Sequence, residues 1–252
     1  MRKDEPQLVD DGRRVVVLSS GGLDSTTLLA MARASGRAIY ALSFDYGQRH
    51  ACELRCAARQ AERFEAVAHE IIDLRHLGKL VAHQSSLIAS SELEVSKGEG
   101  EVEDPDTRDI PSTYVPARNT LFLSYALAWA EALDAREIWI GANALDYSGY
   151  PDCRPVYLEA WEQMATLATK VGIEGRAIEL VAPLVDLPKA SIAARGVELG
   201  VDYADTVSCY DPSTRGAGED EEILACGACE SCRLRRAGFE SAGLADPTRY
   251  RD

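Results

Sequence analysis

The sequence predicts an α/β protein: a doubly wound, mostly parallel sheet carrying a small cysteine-rich module at its C-terminal end. Three observations predict it. Short apolar runs alternate with helical stretches from residue 14 to residue 199, the pattern of a parallel sheet with helices on both faces. The first run, Val15-Val16-Val17-Leu18, enters a turn of small residues, Ser19-Ser20-Gly21-Gly22, and passes directly into a helix start. The last fifth of the chain holds Cys209, Cys226, Cys229 and Cys232, three of them at two-residue gaps.

Residues 14–18 form the first strand and residues 25–35 the first helix, which Gly36 ends. A second apolar run, 38–44, is followed by the polar stretch Asp45-Tyr46-Gly47-Gln48-Arg49-His50, then by a helix reaching about residue 64 and a third strand over 66–72. Residues 90–109 break the pattern. Glu92, Glu94, Glu99, Glu101, Glu103, Asp104, Asp106 and Asp109 stand against only Lys97 and Arg108, with glycines between, which predicts a solvated, mobile loop. Order returns at Tyr114-Val115-Pro116-Ala117-Arg118-Asn119-Thr120, which opens an Ala/Leu-rich helix to about residue 133. A fourth strand (137–142), a polar loop (143–155), a helix (156–170), a fifth strand (177–181) and a helix (189–199) follow. The expected division is an α/β domain over 1–200 and a cysteine-rich module over 201–252.

Composition narrows the function. A hydrophobic content of 46% is ample for a core in 252 residues. Asp and Glu number 41 against 27 Lys and Arg, a formal charge of −14. Direct work on long nucleic-acid backbones needs a basic face, so a small-molecule substrate is expected, with no direct nucleic-acid partner. The polar, charged first twelve residues do not read as a secretory leader, and no apolar run approaches membrane-spanning length, so a cytoplasmic location is expected. Seven cysteines, an odd number, argue against a disulfide framework.

The turn after the first strand carries the most chemistry. Adjacent glycines allow close backbone approach, and hydroxyls beside free N–H groups at a helix N-terminus favour an anion. The phosphate-site residues are Leu18, Ser19, Ser20, Gly21, Gly22, Leu23, Asp24, Ser25, Thr26, Thr27 and Leu28. A Walker A loop would end in Lys-Ser or Lys-Thr, and a dinucleotide loop would space three glycines; neither pattern is present. Further candidates lie at other strand ends: Arg49 and His50, Arg118 and Asn119, and the loop residues Asn143, Asp146, Tyr147, Ser148, Tyr150 and Asp152, which offer aromatic faces and polar edges to a heterocycle. Lys189, opening a helix, is placed to reach phosphates. The cysteines suit a closed four-thiolate zinc site of structural role, with an iron–sulfur cluster as the rival. Cys209 is the expected fourth ligand, and Cys153 the other candidate. Cys52 and Cys56, four apart on one helix, read as small core fillers.

The motif Ser-Gly-Gly-Leu-Asp-Ser resembles the PP-loop of ATP pyrophosphatases. The full set of blocks (18–27, 44–50, 114–123, 143–155, 208–212 and 225–250) resembles one family in that class, the 7-cyano-7-deazaguanine synthases of queuosine biosynthesis. That resemblance implies an ATP-dependent ligase. It would convert 7-carboxy-7-deazaguanine and ammonia into 7-cyano-7-deazaguanine through an activated carboxylate and an amide, with Mg²⁺ accompanying ATP, zinc on the cysteines, and a homodimer. The sequence departs from the family pattern in its extra serine at Ser19-Ser20, in Ala117 where glycine is usual, in Glu230 where aspartate is frequent, and in a longer acidic segment.

Overall fold

Strand β1 (Arg14–Leu18) occupies the centre of a five-stranded sheet, and its composition explains why. Val15, Val16 and Val17 have no exposed surface, as a strand covered on both faces requires. The computed structural model describes residues 13–97, 110–144, 150–216 and 222–251. The other strands of the sheet are β2 (Ala38–Asp45), β3 (Ala68–Asp73), β4 (Glu137–Trp139) and β5 (Glu179–Val181). All pairings are parallel, in the order β3-β2-β1-β4-β5. Connections diverge to either side of β1, so a ligand crevice opens at the carboxyl ends of β1 and β4.

Alternation along the strands feeds two cores. Val16, Leu18, Tyr40 and Leu42 pack on one face with α4 (Arg118–Ala132) and α5 (Pro155–Ala168), through Leu123, Ala126, Leu158 and Trp161. Val15, Val17, Ile39 and Ala41 pack on the other face with α1 (Leu23–Ala34), α2 (Glu53–Arg63) and α7 (Lys189–Glu198). The doubly wound arrangement is therefore present. The C-terminal helix α8 (Glu230–Ser241) joins this second core through Phe239 and lies along α7. A Cβ on Gly238 would sit 2.5 Å from Lys189 Cγ, so only glycine permits that approach.

Several elements differ from the sequence reading. The fourth strand pairs only as far as Trp139, because Gly141, Ala142 and Asn143 turn toward the crevice and line it. The helix expected over 156–170 breaks at Thr169, whose backbone is extended; its hydroxyl accepts from Gly172 N and starts the separate short helix α6 (Lys170–Ile173). The helix α3 (Arg75–Val81) and the antiparallel pair β6 (Ser213–Arg215) and β7 (Glu222–Leu224) were not expected. Of the acidic segment, residues 90–97 are anchored: Val95 is buried, and Lys97 pairs with Asp211 at 2.6 Å. Residues 98–109 lie outside the described residues. Among the described residues, no helix is long and apolar enough to cross a membrane.

The turn between β1 and α1 tolerates little change. Gly21 has φ of +80°, and a Cβ there would meet Glu53 O at 2.3 Å and Ala57 N at 2.6 Å. Gly21→Ala is expected to cost about 3 kcal/mol from overpacking and left-handed strain together. That corresponds to a fall in Tm of roughly 6–12 °C for a chain of this size; an unchanged melting curve would contradict the packing described.

Candidate functional site

At the crevice the turn, α2, α4 and the C-terminal segment enclose a cavity of about 230 Å³. On the side formed by the turn after β1, Ser20 and Ser25 hydroxyls lie 3.1 Å apart, and Ser20 N donates to Ser25 Oγ at 3.1 Å. Gly22 N donates to Ser20 Oγ at 3.3 Å. This nest of donors sits on the N-terminus of α1, where the helix dipole favours negative charge.

Three contacts hold the turn. Val207 N donates to Gly21 O at 3.0 Å. Lys189 Nζ lies 2.9 Å from both carboxylate oxygens of Asp24. The close approach of α2 at Gly21 is the third. Behind them, Arg235 of α8 is almost wholly buried and unites the C-terminal segment: it donates to Thr206 Oγ1 at 2.9 Å, Tyr203 O at 2.9 Å and Asp246 Oδ1 at 3.1 Å.

Of the residues expected in the phosphate site, Leu18, Ser19, Ser20, Gly22, Leu23, Asp24 and Ser25 line the cavity. Gly21 supplies backbone only. Thr26 is buried, and Thr27 donates to Leu23 O at 2.9 Å and pairs with Tyr203 Oη at 2.6 Å. Leu28 belongs to the second core. The loop's register thus spends its last three side chains on packing, one helical turn beyond the donors.

The substrate candidates divide in the same way. Arg118, Asn119, His50, Asn143 and Tyr150 line the cavity. Asn143 Nδ2 donates to Leu184 O and Leu187 O at 3.0 and 2.7 Å, so its amide ties the end of β4 to the 184–187 segment. Asp152 does not line the cavity. Its carboxylate accepts from Asn119 N at 3.1 Å and caps α4. Arg49 also points elsewhere: it donates to the carbonyls of Ser86, Ser91 and Leu93 and straps that segment down. Asp146, Tyr147 and Ser148 lie outside the described residues.

Arg118 is the cation of the cavity. It follows Ala117, which adopts the left-handed conformation (φ 55°) where an L-residue is strained. Its Nη1 donates to Tyr46 Oη at 3.2 Å, and among the described residues no carboxylate lies within ion-pair distance. Burial opposes its charge, but Tyr46, Tyr150 and Asp152 outweigh that and raise its pKa further, so it stays protonated. Beside it, the stacked rings of Phe44 and Phe122, 3.9 Å between centroids, form an apolar wall.

The sequence reading missed Glu53, Gln48, Tyr46 and Arg235. Gln48 Nε2 donates to Glu53 Oε1 at 3.1 Å, and His50 Nε2 lies 3.5 Å from the same oxygen. Burial raises the Glu53 carboxyl to about 8, against opposition from Gln48 and Arg118. Burial and then Arg118 push His50 down to about 3. At pH 7 His50 is therefore neutral, and Glu53 is mostly protonated with a minor ionised fraction that grows toward pH 8. Glu53 three residues past His50, in the first turn of a helix, was the available signal.

The cysteine module answers one open choice. The sulfur atoms of Cys209, Cys226, Cys229 and Cys232 all lie within 4.8 Å of one another. Cys153 lies apart, accepting from Asn119 Nδ2. Cys209 Sγ accepts from Cys226 N and Asp211 N, and Cys226 Sγ from Ala228 N and Cys229 N. Backbone donors of this kind stabilise thiolates, and four convergent thiolates fit a tetrahedral metal ion.

A donor-rich turn between the first strand of a parallel sheet and a helix N-terminus, opening on a cavity lined by a buried arginine, is the arrangement of the PP-loop class of nucleotide-dependent enzymes. Within that class the match is specific: the model of the family described as "Queuosine biosynthesis protein QueC" matches residues 14–243. The chain belongs to the QueC family. It is 55% identical over 236 residues to the 7-cyano-7-deazaguanine synthase of Methylococcus capsulatus, covering 94% of this chain and 98% of that one. It is 52% identical over 240 residues to the synthase of the same name from Pseudomonas fluorescens, covering 95% and 99%. Among solved structures, an NMN synthetase from Francisella tularensis aligns over 93% of this chain and 78% of its own, at 16% identity and a TM-score of 0.48.

Glu53 gives the stability a pH dependence of definite sign. A folded pKa near 8 against 4.5 unfolded means that the native state binds its proton more tightly. Its contribution is complete below about pH 4.5 and is lost as pH rises to about 8. Glu53→Gln is expected to match the wild-type Tm near pH 4.5 and exceed it at pH 8; parallel Tm curves across that window would contradict the burial of this carboxyl.

Proposed function

We propose that the chain is an ATP-dependent C–N ligase that converts 7-carboxy-7-deazaguanine and ammonia into 7-cyano-7-deazaguanine, through an activated carboxylate and then an amide. The observation that carries the reading is the cavity in which the phosphate turn and Arg118 face one another. Membership of the QueC family supports the choice of substrate. So does the excess of acidic residues, which disfavours direct action on a polynucleotide.

The chemistry follows from charge. A carboxylate is a poor electrophile, so one oxygen must first be joined to a nucleotide phosphate. In this reading Ser20, Ser25 and the first N–H groups of α1 receive the departing pyrophosphate and stabilise its charge. Mg²⁺, bound with ATP near Asp24, would neutralise part of the phosphate charge. Arg118 holds the substrate carboxylate by paired donors, while the aromatic wall covers the flat deazaguanine. Ammonia displaces the nucleotide to give the amide. A second activation, on the amide oxygen, gives the nitrile. No covalent nucleophile is needed. Cys209, Cys226, Cys229 and Cys232 would hold zinc as a closed, structural site whose helix α8 braces the phosphate turn through Arg235 and Lys189.

The direct test supplies ATP, ammonia and 7-carboxy-7-deazaguanine and follows the nitrile by mass spectrometry. Nitrile formation is expected, and pyrophosphate release without it would contradict the reading. Asp24→Ala should abolish turnover in a folded protein. Arg118→Gln should raise the KM for the carboxylate substrate about 100-fold while leaving ATP affinity within a few-fold; equal losses for both ligands would contradict the assignment. Cys229→Ser should lose bound metal and thermal stability together, since a structural metal contributes folding free energy. A metal-free variant that melts like the wild type would contradict that role.

A further inference from the structure

The proposed reaction leaves one requirement without a group to meet it. Nitrogen enters as ammonium and ends as a nitrile, so it must shed every proton it carries within the cavity. Among the described residues, two carboxyl side chains line that cavity, Asp24 and Glu53. Asp24 is engaged by Lys189 at 2.9 Å through both oxygens. Glu53 is not so engaged: Gln48 donates one hydrogen bond to Oε1, the neutral ring of His50 lies 3.5 Å away, and among the described residues no cation lies within ion-pair distance.

Resting on the reading above, we infer that Glu53 is the proton acceptor of the reaction, taking the protons that the incoming nitrogen sheds as the C–N bond forms. The groups around it fit this role. Gln48 and Tyr46 from the end of β2 and Arg118 from α4 face it, and Cys56 lies one turn along its own helix. His50 is more than nine-tenths buried, lines the cavity, and carries an Nδ1 atom with no hydrogen-bond partner among the described residues. A buried, unpartnered ring nitrogen beside an unengaged carboxyl is costly unless a ligand meets it, and a small hydrogen-bond donor such as ammonia is a ligand of that size and polarity. The pKa of about 8 given to Glu53 by burial lies near the pH at which the reaction would run, where a base retains both its strength and its ionised form.

The step balances. Ammonium first gives one proton through Glu53 to solvent, and the lone pair so freed forms the C–N bond at the activated acyl carbon. The Glu53 carboxylate takes one proton from that nitrogen. The bond from carbon to the nucleotide's phosphate oxygen breaks, and its electron pair leaves with the nucleotide. Glu53 then releases its proton to solvent, ready to accept again as the amide is converted to the nitrile.

The test compares wild type, Glu53→Gln and Glu53→Asp with two nucleophiles, ammonia and hydroxylamine, the latter being largely unprotonated at neutral pH. Folding is checked by thermal melting. Glu53→Gln should slow ammonia-dependent amide and nitrile formation about 100-fold and flatten the rise of rate toward pH 8 expected of the wild type. Hydroxamate formation from hydroxylamine should stay within a few-fold of wild type, because hydroxylamine arrives with a free lone pair and its adduct, more acidic than that of ammonia, sheds its proton to water unaided. Glu53→Asp should recover part of the ammonia-dependent rate. Equal loss with both nucleophiles, or ammonia-dependent turnover within threefold of wild type with an unaltered pH profile, would overturn the role. A wild-type protein that makes hydroxamate but no nitrile would remove the nitrile reading and leave the Glu53 comparison to be judged on the amide. A wild type that makes neither would remove both.

Discussion

Everything in the site depends on how the backbone at Gly21 is pinned. Its carbonyl accepts from Val207, its missing Cβ lets α2 come within contact of the turn, and three residues later Asp24 is held by Lys189. A turn anchored from three directions presents its N–H groups and the Ser20 and Ser25 hydroxyls without paying to order them when an anion arrives. Preorganised donors of this kind stabilise developing charge far better than mobile ones. Each anchor comes from a different stretch of chain, so the site forms only when the whole fold has closed.

The C-terminal module is the most distant contributor and the most consequential. Four sulfur atoms converge at one end of α8, and Arg235 and Gly238 act further along it. Arg235 gathers the 203–208 segment whose Val207 reaches Gly21, and Gly238 lets α8 press on Lys189. The cysteine cluster and the turn after β1 are therefore joined by one helix rather than by proximity. That arrangement gives a physical reason for a cluster of four cysteines to accompany this turn in one chain.

Much of this was legible in the sequence. Buried valines, a glycine-serine turn and a helix start specify β1, the turn and α1 almost to the residue, because local pattern and tertiary burial agree there. The fourth cysteine was favoured correctly over Cys153 for the simple reason that it belongs to the same segment. What escaped were roles fixed by partners distant in sequence. Asp152 and Arg49 were read as ligand contacts, yet each is spent on backbone groups, a helix N-terminus and a strap of carbonyls, while Asn143 lines the cavity as its amide also ties down a carbonyl pair. Conversely Glu53 and Arg235 look like ordinary helical surface charges, and only the packing of α2 against the turn and of α8 against 203–208 buries them. The short helix α3 and the break at Thr169 were missed because seven or fewer residues carry too little periodicity to be read.

The central claim is that this turn grips the nucleotide's phosphates. A crystal structure with a non-hydrolysable ATP analogue tests it most directly. The account predicts phosphate oxygens within hydrogen-bond distance of Ser20, Ser25 and the first backbone N–H groups of α1, with the base of the second substrate beyond Arg118. Phosphates bound elsewhere, with the turn left empty, would contradict it.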